Sequence, residues 1–179
     1  MAAKGTWESL VTDKKRRQQA AVPSDWLLKS APADTVLDVR AVPEQSGLLS
    51  THETEITNTD VELLLHNLAS GTWSSVEVTT AFYKRAIIAH QLVSWDRLPL
   101  LKRHRMGTDR HIQVNCLTEI FVERALQRAR ELDEHLKKTG EVVGPLHGLP
   151  ISLKDQICIK GLEATMGKLN STHLYGIDA

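Results

Sequence analysis

Apolar positions recur at helical spacing in three stretches of the chain, and each stretch carries its own start or stop signal. Thr59-x-x-Glu62 has the form of a capping box, in which a hydroxyl and a carboxylate three positions on satisfy each other's backbone N–H. Val61, Leu64, Leu65 and Leu68 follow on one face until Ser70-Gly71. Ser74-x-x-Glu77 repeats the signal and opens a second helix, whose apolar face is drawn from Val78, Phe82, Ala86, Ile88 and Ala89. The connection between the two is short, so they should pack antiparallel or at a sharp angle. A third helix is predicted from about Phe121 to Lys138, with Val122, Ala125, Leu126, Ala129, Leu132 and Leu136 at helical spacing. Lys137-Lys138 suit the negative end of its dipole, and Gly140 suits a left-handed stop. Ahead of these, Trp7, Leu10 and Val11 with the basic run Lys14-Lys15-Arg16-Arg17 predict a short helix that Pro23 ends. Residues 24–55, with Pro32, Pro43, Gly47 and little periodicity, predict a wrapping surface loop.

The pattern changes after Gly140. In Gly144-Pro145-Leu146-His147-Gly148-Leu149-Pro150-Ile151-Ser152-Leu153-Lys154-Asp155 a Gly/Pro-rich turn leads into alternating apolar residues that read as a strand, with Lys154 near its end. A lysine held there and partly desolvated loses proton affinity, and a neutral amine can act as a general base. Spacing alone also allows a charged Lys154-Asp155 pair that merely closes the strand. His147 belongs to no His-x-x-x-His pair or His/Cys cluster with metal-ligand spacing and is expected to hydrogen-bond the turn. Ser152 shares a strand face with Lys154 by the two-residue period and is read as a structural hydroxyl.

The same block, continued by Ile159-Lys160-Gly161-Leu162-Glu163-Ala164-Thr165-Met166-Gly167, resembles the first core block of the amidase signature family, in the acetamidase-like branch found in fungi. Trp73-Ser74-Ser75-Val76-Glu77-Val78-Thr79-Thr80-Ala81-Phe82 and Asn115-Cys116-Leu117-Thr118-Glu119 resemble the family's helical lead-in, so the resemblance covers most of residues 3–92 and 114–167. It implies an α/β/α fold with a central mixed sheet, of which this chain would hold the helix-rich N-terminal part and the first core strand. It also implies a Ser/cis-Ser/Lys hydrolase that cleaves a linear carboxylic amide to acid and ammonia, with no metal or organic cofactor. Lys154 would be the catalytic base. The family's Gly/Ser-rich stretch with the relay serine, and its nucleophile loop, have no counterpart in residues 1–179. The alternative class is a catalytically dead helical module that pairs with a full-length homologue through helices 60–90 and 121–138.

Composition narrows the partners. With 41% hydrophobic and 25% charged residues the chain falls among globular proteins. Its 22 basic and 22 acidic residues give zero formal charge, which supplies no overall field toward nucleic acid or a membrane surface and leaves it liable to self-associate as a homo-oligomer. No apolar run approaches the roughly 20 residues that span a bilayer, and a cytoplasmic location is expected. Lys14 to Arg17 read as a solvated helix face, and Cys116 and Cys158 as reduced core cysteines. Two stretches depart from the family pattern. Residues 93–113 have a basic excess and no clean period, and joining Leu92 to Val114 restores the family register, which reads as translated intron sequence that kept the frame, with a genuine surface loop as the alternative. Residues 168–179 form a tail unlike the family, so the expected organisation is one truncated domain over 1–179 with an inserted segment.

Overall fold

A computed structural model describes residues 6–30, 32, 36, 38–92, 117–162 and 164. Among them are six α-helices, α1 Trp7–Ala20, α2 Val42–Gln45, α3 Thr51–Asn58, α4 Val61–Ala69, α5 Ser75–Leu92 and α6 Val122–Thr139, with a 3-10 turn at Ser24–Trp26. The chain divides into two compact units. One is formed from residues 1–23, 118–121 and 151–179, the other from residues 24–117 and 122–150.

The larger unit is built around α5. Its first N–H groups lack partners within the helix, and each finds one. Ser74 Oγ accepts from Glu77 N–H at 3.1 Å while the Glu77 carboxylate accepts from Ser74 N–H at 2.8 Å, which realises the capping box expected at this position. Ser75 and Val76 N–H donate instead to the Asp133 carboxylate of α6, at 2.6 and 3.1 Å. A carboxylate at a helix N-terminus also meets the positive end of the dipole. α6 packs on α5 and ends at Gly140, whose φ of 72° is a left-handed stop and whose N–H donates to Leu136 O at 2.8 Å.

Two apolar clusters hold this unit. Ile56, Leu64, Leu68, Trp73, Val78 and Ala81 form one, with Phe82 and Leu149 packed against it. Leu49, Ile88 and Leu92 form the other, joined by Leu28, Val39, Val42 and Leu48. The helix over Thr51–Asn58 corrects the expectation of a loop across residues 24–55. Ser50 and Glu53 form a reciprocal capping box there, and the single buried residue Ile56 anchors the helix. Lys84 on α5 pairs with Glu53 at 2.6 Å, and Arg85 donates to Thr57 Oγ1 at 2.8 Å and Asn58 Oδ1 at 2.9 Å, which ties α3 to α5 along their length. A second correction is local. Asp60 caps α4 by accepting from Glu62 and Leu63 N–H at 3.0 Å each, whereas Thr59 ends α3.

In the smaller unit, α1 forms where the basic run predicts a helix, and three of the four basic residues in that run are paired. Asp13 accepts from Arg16 at 2.7 Å and Arg17 at 2.9 Å, and Lys14 pairs with Glu119. Gln18 donates to Thr118 O at 2.8 Å and Thr118 Oγ1 donates to Asp155 Oδ1 at 3.2 Å, so residues 118–119 link α1 to the segment that carries Lys154. No strand occurs among the described residues, which corrects the expectation of a core strand at 151–157. A strand exists through hydrogen bonds to a neighbour. The described backbone bond involving residues 151–157 is the turn closed by Ile157 N–H on Lys154 O at 2.9 Å. Among the described residues no helix is long and apolar enough to cross a membrane. Residues 93–113 and 168–179, the expected insertion and tail, lie outside the described residues, as does Cys116.

Candidate functional site

The Gly/Pro-rich block folds as two consecutive pieces. The first, residues 141–150, leaves α6 at Gly140 and turns twice, with His147 N–H donating to Gly144 O at 3.1 Å and Leu149 N–H to Leu146 O at 3.2 Å. His147 lies at its centre with 4% exposure, and its Nδ1 accepts from Val143 N–H at 3.3 Å. This is the turn bond expected of His147. Burial lowers the proton affinity of the ring; the nearby Asp133 carboxylate raises it, and His135 and Arg128 lower it further. Gly148 has φ +74°, and a Cβ there would stand 2.5 Å from Ser75 Oγ and 2.9 Å from Leu68 Cδ2. The turn therefore rests directly on the corner between α4 and α5, where only a glycine fits.

The second piece carries the candidate base. Lys154 is exposed, as are Ile151, Ser152 and Leu153, and among the described residues its Nζ has no hydrogen bond or ion pair. The desolvation expected for this lysine is thus not found among the described residues, none of which covers the segment. Asp155 is held by Thr118 rather than by Lys154, so the Lys154-Asp155 pair is not closed on itself. Ser152 is exposed beside Lys154. Cys158 is a free, exposed thiol and not the core cysteine expected. Among the described residues no group of three or more His, Cys, Asp or Glu side chains could hold a metal ion.

Three participants were not singled out by sequence reasoning. Asp133 looks like any charge on an amphipathic helix, yet it caps α5 across the fold. Ser75 reads as part of a polar helix start, yet it is 1% exposed against Gly148. His90, also buried, accepts Leu117 N–H on Nδ1 at 3.3 Å, and its signal was its place among Ile87, Ile88 and Leu92 in the last turn of an apolar helix.

Comparison with known proteins gives a consistent picture. A family model described as Amidase matches residues 108–175. The chain is 43% identical to an acetamidase of Aspergillus oryzae over 92% of its own length and 26% of the relative's, and 42% identical to an acetamidase of Emericella nidulans over 95% and 27%. A solved fatty acid amide hydrolase superposes on 93% of the chain and 26% of that protein, with a TM-score of 0.74 and 30% identity. The helical frame and the block ending in Lys154 thus belong to an amidase-type architecture. The chain is similar, over nearly its whole length, to the N-terminal quarter of proteins of the amidase signature family. It spans about a quarter of the length of the curated relatives it matches.

Proposed function

We propose that the chain serves an amidase that hydrolyses a linear carboxylic amide to acid and ammonia by a Ser/cis-Ser/Lys mechanism, with Lys154 as the base. In that chemistry a serine attacks the carbonyl, a second serine relays its proton to the neutral amine, and water then resolves the acyl-enzyme. The observation that carries the reading is the likeness to acetamidases over nearly the whole chain, together with the place of Lys154 inside the stretch that the family model matches. The exposure of Lys154 supports a division of labour. The base is supplied by this chain, and the serine pair and the oxyanion donors by the remaining part of the amidase. Each absent oxyanion donor is worth about 2.7–4 kcal/mol in acyl transfer. The chain by itself should therefore release no ammonia from a simple aliphatic amide. A transplant in which it replaces the matching quarter of the Aspergillus oryzae acetamidase should release it. Turnover by the short chain, or a soluble and helical transplant without activity, would overturn the proposal. Pairing with a homologue through α5 and α6 is less well supported, since those helices already pack on each other.

Residues 93–113 are proposed to be an insertion that the fold does not need. The His90–Leu117 bond holds the end of α5 beside Leu117. Joining Leu92 to Val114 leaves three residues before Leu117, and three extended residues reach about 10 Å. Deleting 93–113 should leave helical circular dichroism unchanged or raised; a marked loss of helicity or solubility would make the stretch an integral element.

A further inference from the structure

The turn that follows α6 depends on one protonation state of His147. A ring nitrogen that accepts a hydrogen bond carries no proton, so the Val143 N–H bond to Nδ1 places the proton of the neutral imidazole on Nε2. Nε2 and the hydroxyl of Ser75 are both buried and have no partner among the described residues. The charged groups that act on the ring come from α6: Asp133, which favours its cation, and His135 and Arg128, which oppose it. The α4–α5 corner contributes the uncharged Leu68 and Ser75, against which Gly148 is seated.

We propose that His147 is an acid-released latch: neutral, it closes the turn from Val143 to Gly148 on the α4–α5 corner, and protonated, it lets that turn open. The ring cation donates from both nitrogens. Val143 N–H then faces a donor and loses its acceptor, Nε2–H gains no hydrogen-bond partner, and the attraction of Asp133 does not offset the burial of the charge. Opening the turn restores water to the cation and to the Val143 amide together. The direction of the equilibrium follows from burial, which depresses proton affinity in the closed form. The closed turn is fully favoured above the ordinary histidine value of 6.5 and loses stability as pH falls from there through the depressed value. This inference goes beyond the amidase reading and stands without it.

The test uses the 179-residue chain. Ring nitrogen NMR at pH 7.5 should show His147 with its proton on Nε2, and its titration midpoint should lie below that of the same ring in the urea-unfolded chain. Protection of the Val143 and Leu149 amides from hydrogen exchange, corrected for intrinsic rates, should fall between pH 7.5 and 5.5, no more steeply than about tenfold per pH unit for one titrating group. His147→Asn offers an acceptor near the Nδ1 position that cannot be protonated, so its Val143 protection should be flat with pH. His90 remains in both proteins and serves as the internal control for any general acid effect. Equal losses in parent and His147→Asn, or a flat profile in the parent, would overturn the latch. If the variant fails to fold, the parent ring decides: an Nδ1-protonated neutral tautomer, or a midpoint no lower than in the unfolded chain, also overturns it.

Discussion

Turnover in the acetamidase transplant falls by about 10²–10⁴-fold when Lys154 is replaced by alanine, the range that a positioned general base contributes. Lys154→Arg fails as well, because a guanidinium keeps its proton and cannot accept one from serine. Lys160→Ala is the control. It removes a neighbouring ammonium from the same matched stretch without touching the proposed base, so its rate should stay near that of the parent. The pH profile separates a base from a structural lysine. Loss of a base removes the rise of the rate with pH that its deprotonation produces, whereas loss of a scaffold contact lowers the whole curve. Ammonia release measures each variant, and a Lys154→Ala transplant as fast as its parent would remove Lys154 from the reaction.

Gly148→Ala should cost the chain about 2–5 kcal/mol, from a left-handed backbone at about 1–2 kcal/mol and a Cβ forced into packed neighbours at about 1–3 kcal/mol. The neighbours are specific: Ser75 Oγ at 2.5 Å, Leu68 Cδ2 at 2.9 Å and Ser75 Cβ at 3.1 Å from the new carbon. Ser75 and Leu68 are themselves buried, so neither can swing clear cheaply. Gly140→Ala isolates the backbone part, since Gly140 has nearly the same φ and a methyl group there would meet nothing within 4 Å. It should lose only the first part, about 1–2 kcal/mol. Urea unfolding of the two variants checks the difference. Equal losses would mean that the turn does not press on the α4–α5 corner.

The helical frame was legible because its signals are local. The Ser74 and Glu77 capping box, the apolar spacing of α6 and the stop at Gly140 each involve residues within one or two turns, and each formed as read. α3 escaped notice for the opposite reason. Thr51–Asn58 buries only Ile56, so there is no stripe for periodicity to detect, and its capping box at Ser50 and Glu53 lay in a stretch dominated by turn-forming neighbours. The Ile151 to Lys154 segment shows the limit of pattern. Alternation can nominate a strand, but a ladder requires a second backbone, and none of the described residues supplies one. For the site, Lys154 was found through a resemblance that its own surroundings do not yet express. Asp133 and Ser75, which are distant in sequence and chemically ordinary, meet only after folding.

Helix α5 borrows two of its N-terminal acceptors from a residue 58 positions later in the chain. During synthesis at about 5–20 residues per second, some 3–12 s separate Ser75 from Asp133. Throughout that interval the first turn of α5 has its local box but not its distant carboxylate, and the surface that α6 will cover stands open on the nascent chain. A ribosome that pauses before Asp133 would prolong this exposed stage, and one that moves quickly through residues 122–139 would shorten it. Translation speed over α6 thus sets how long the first turn of α5 waits for its distant acceptors.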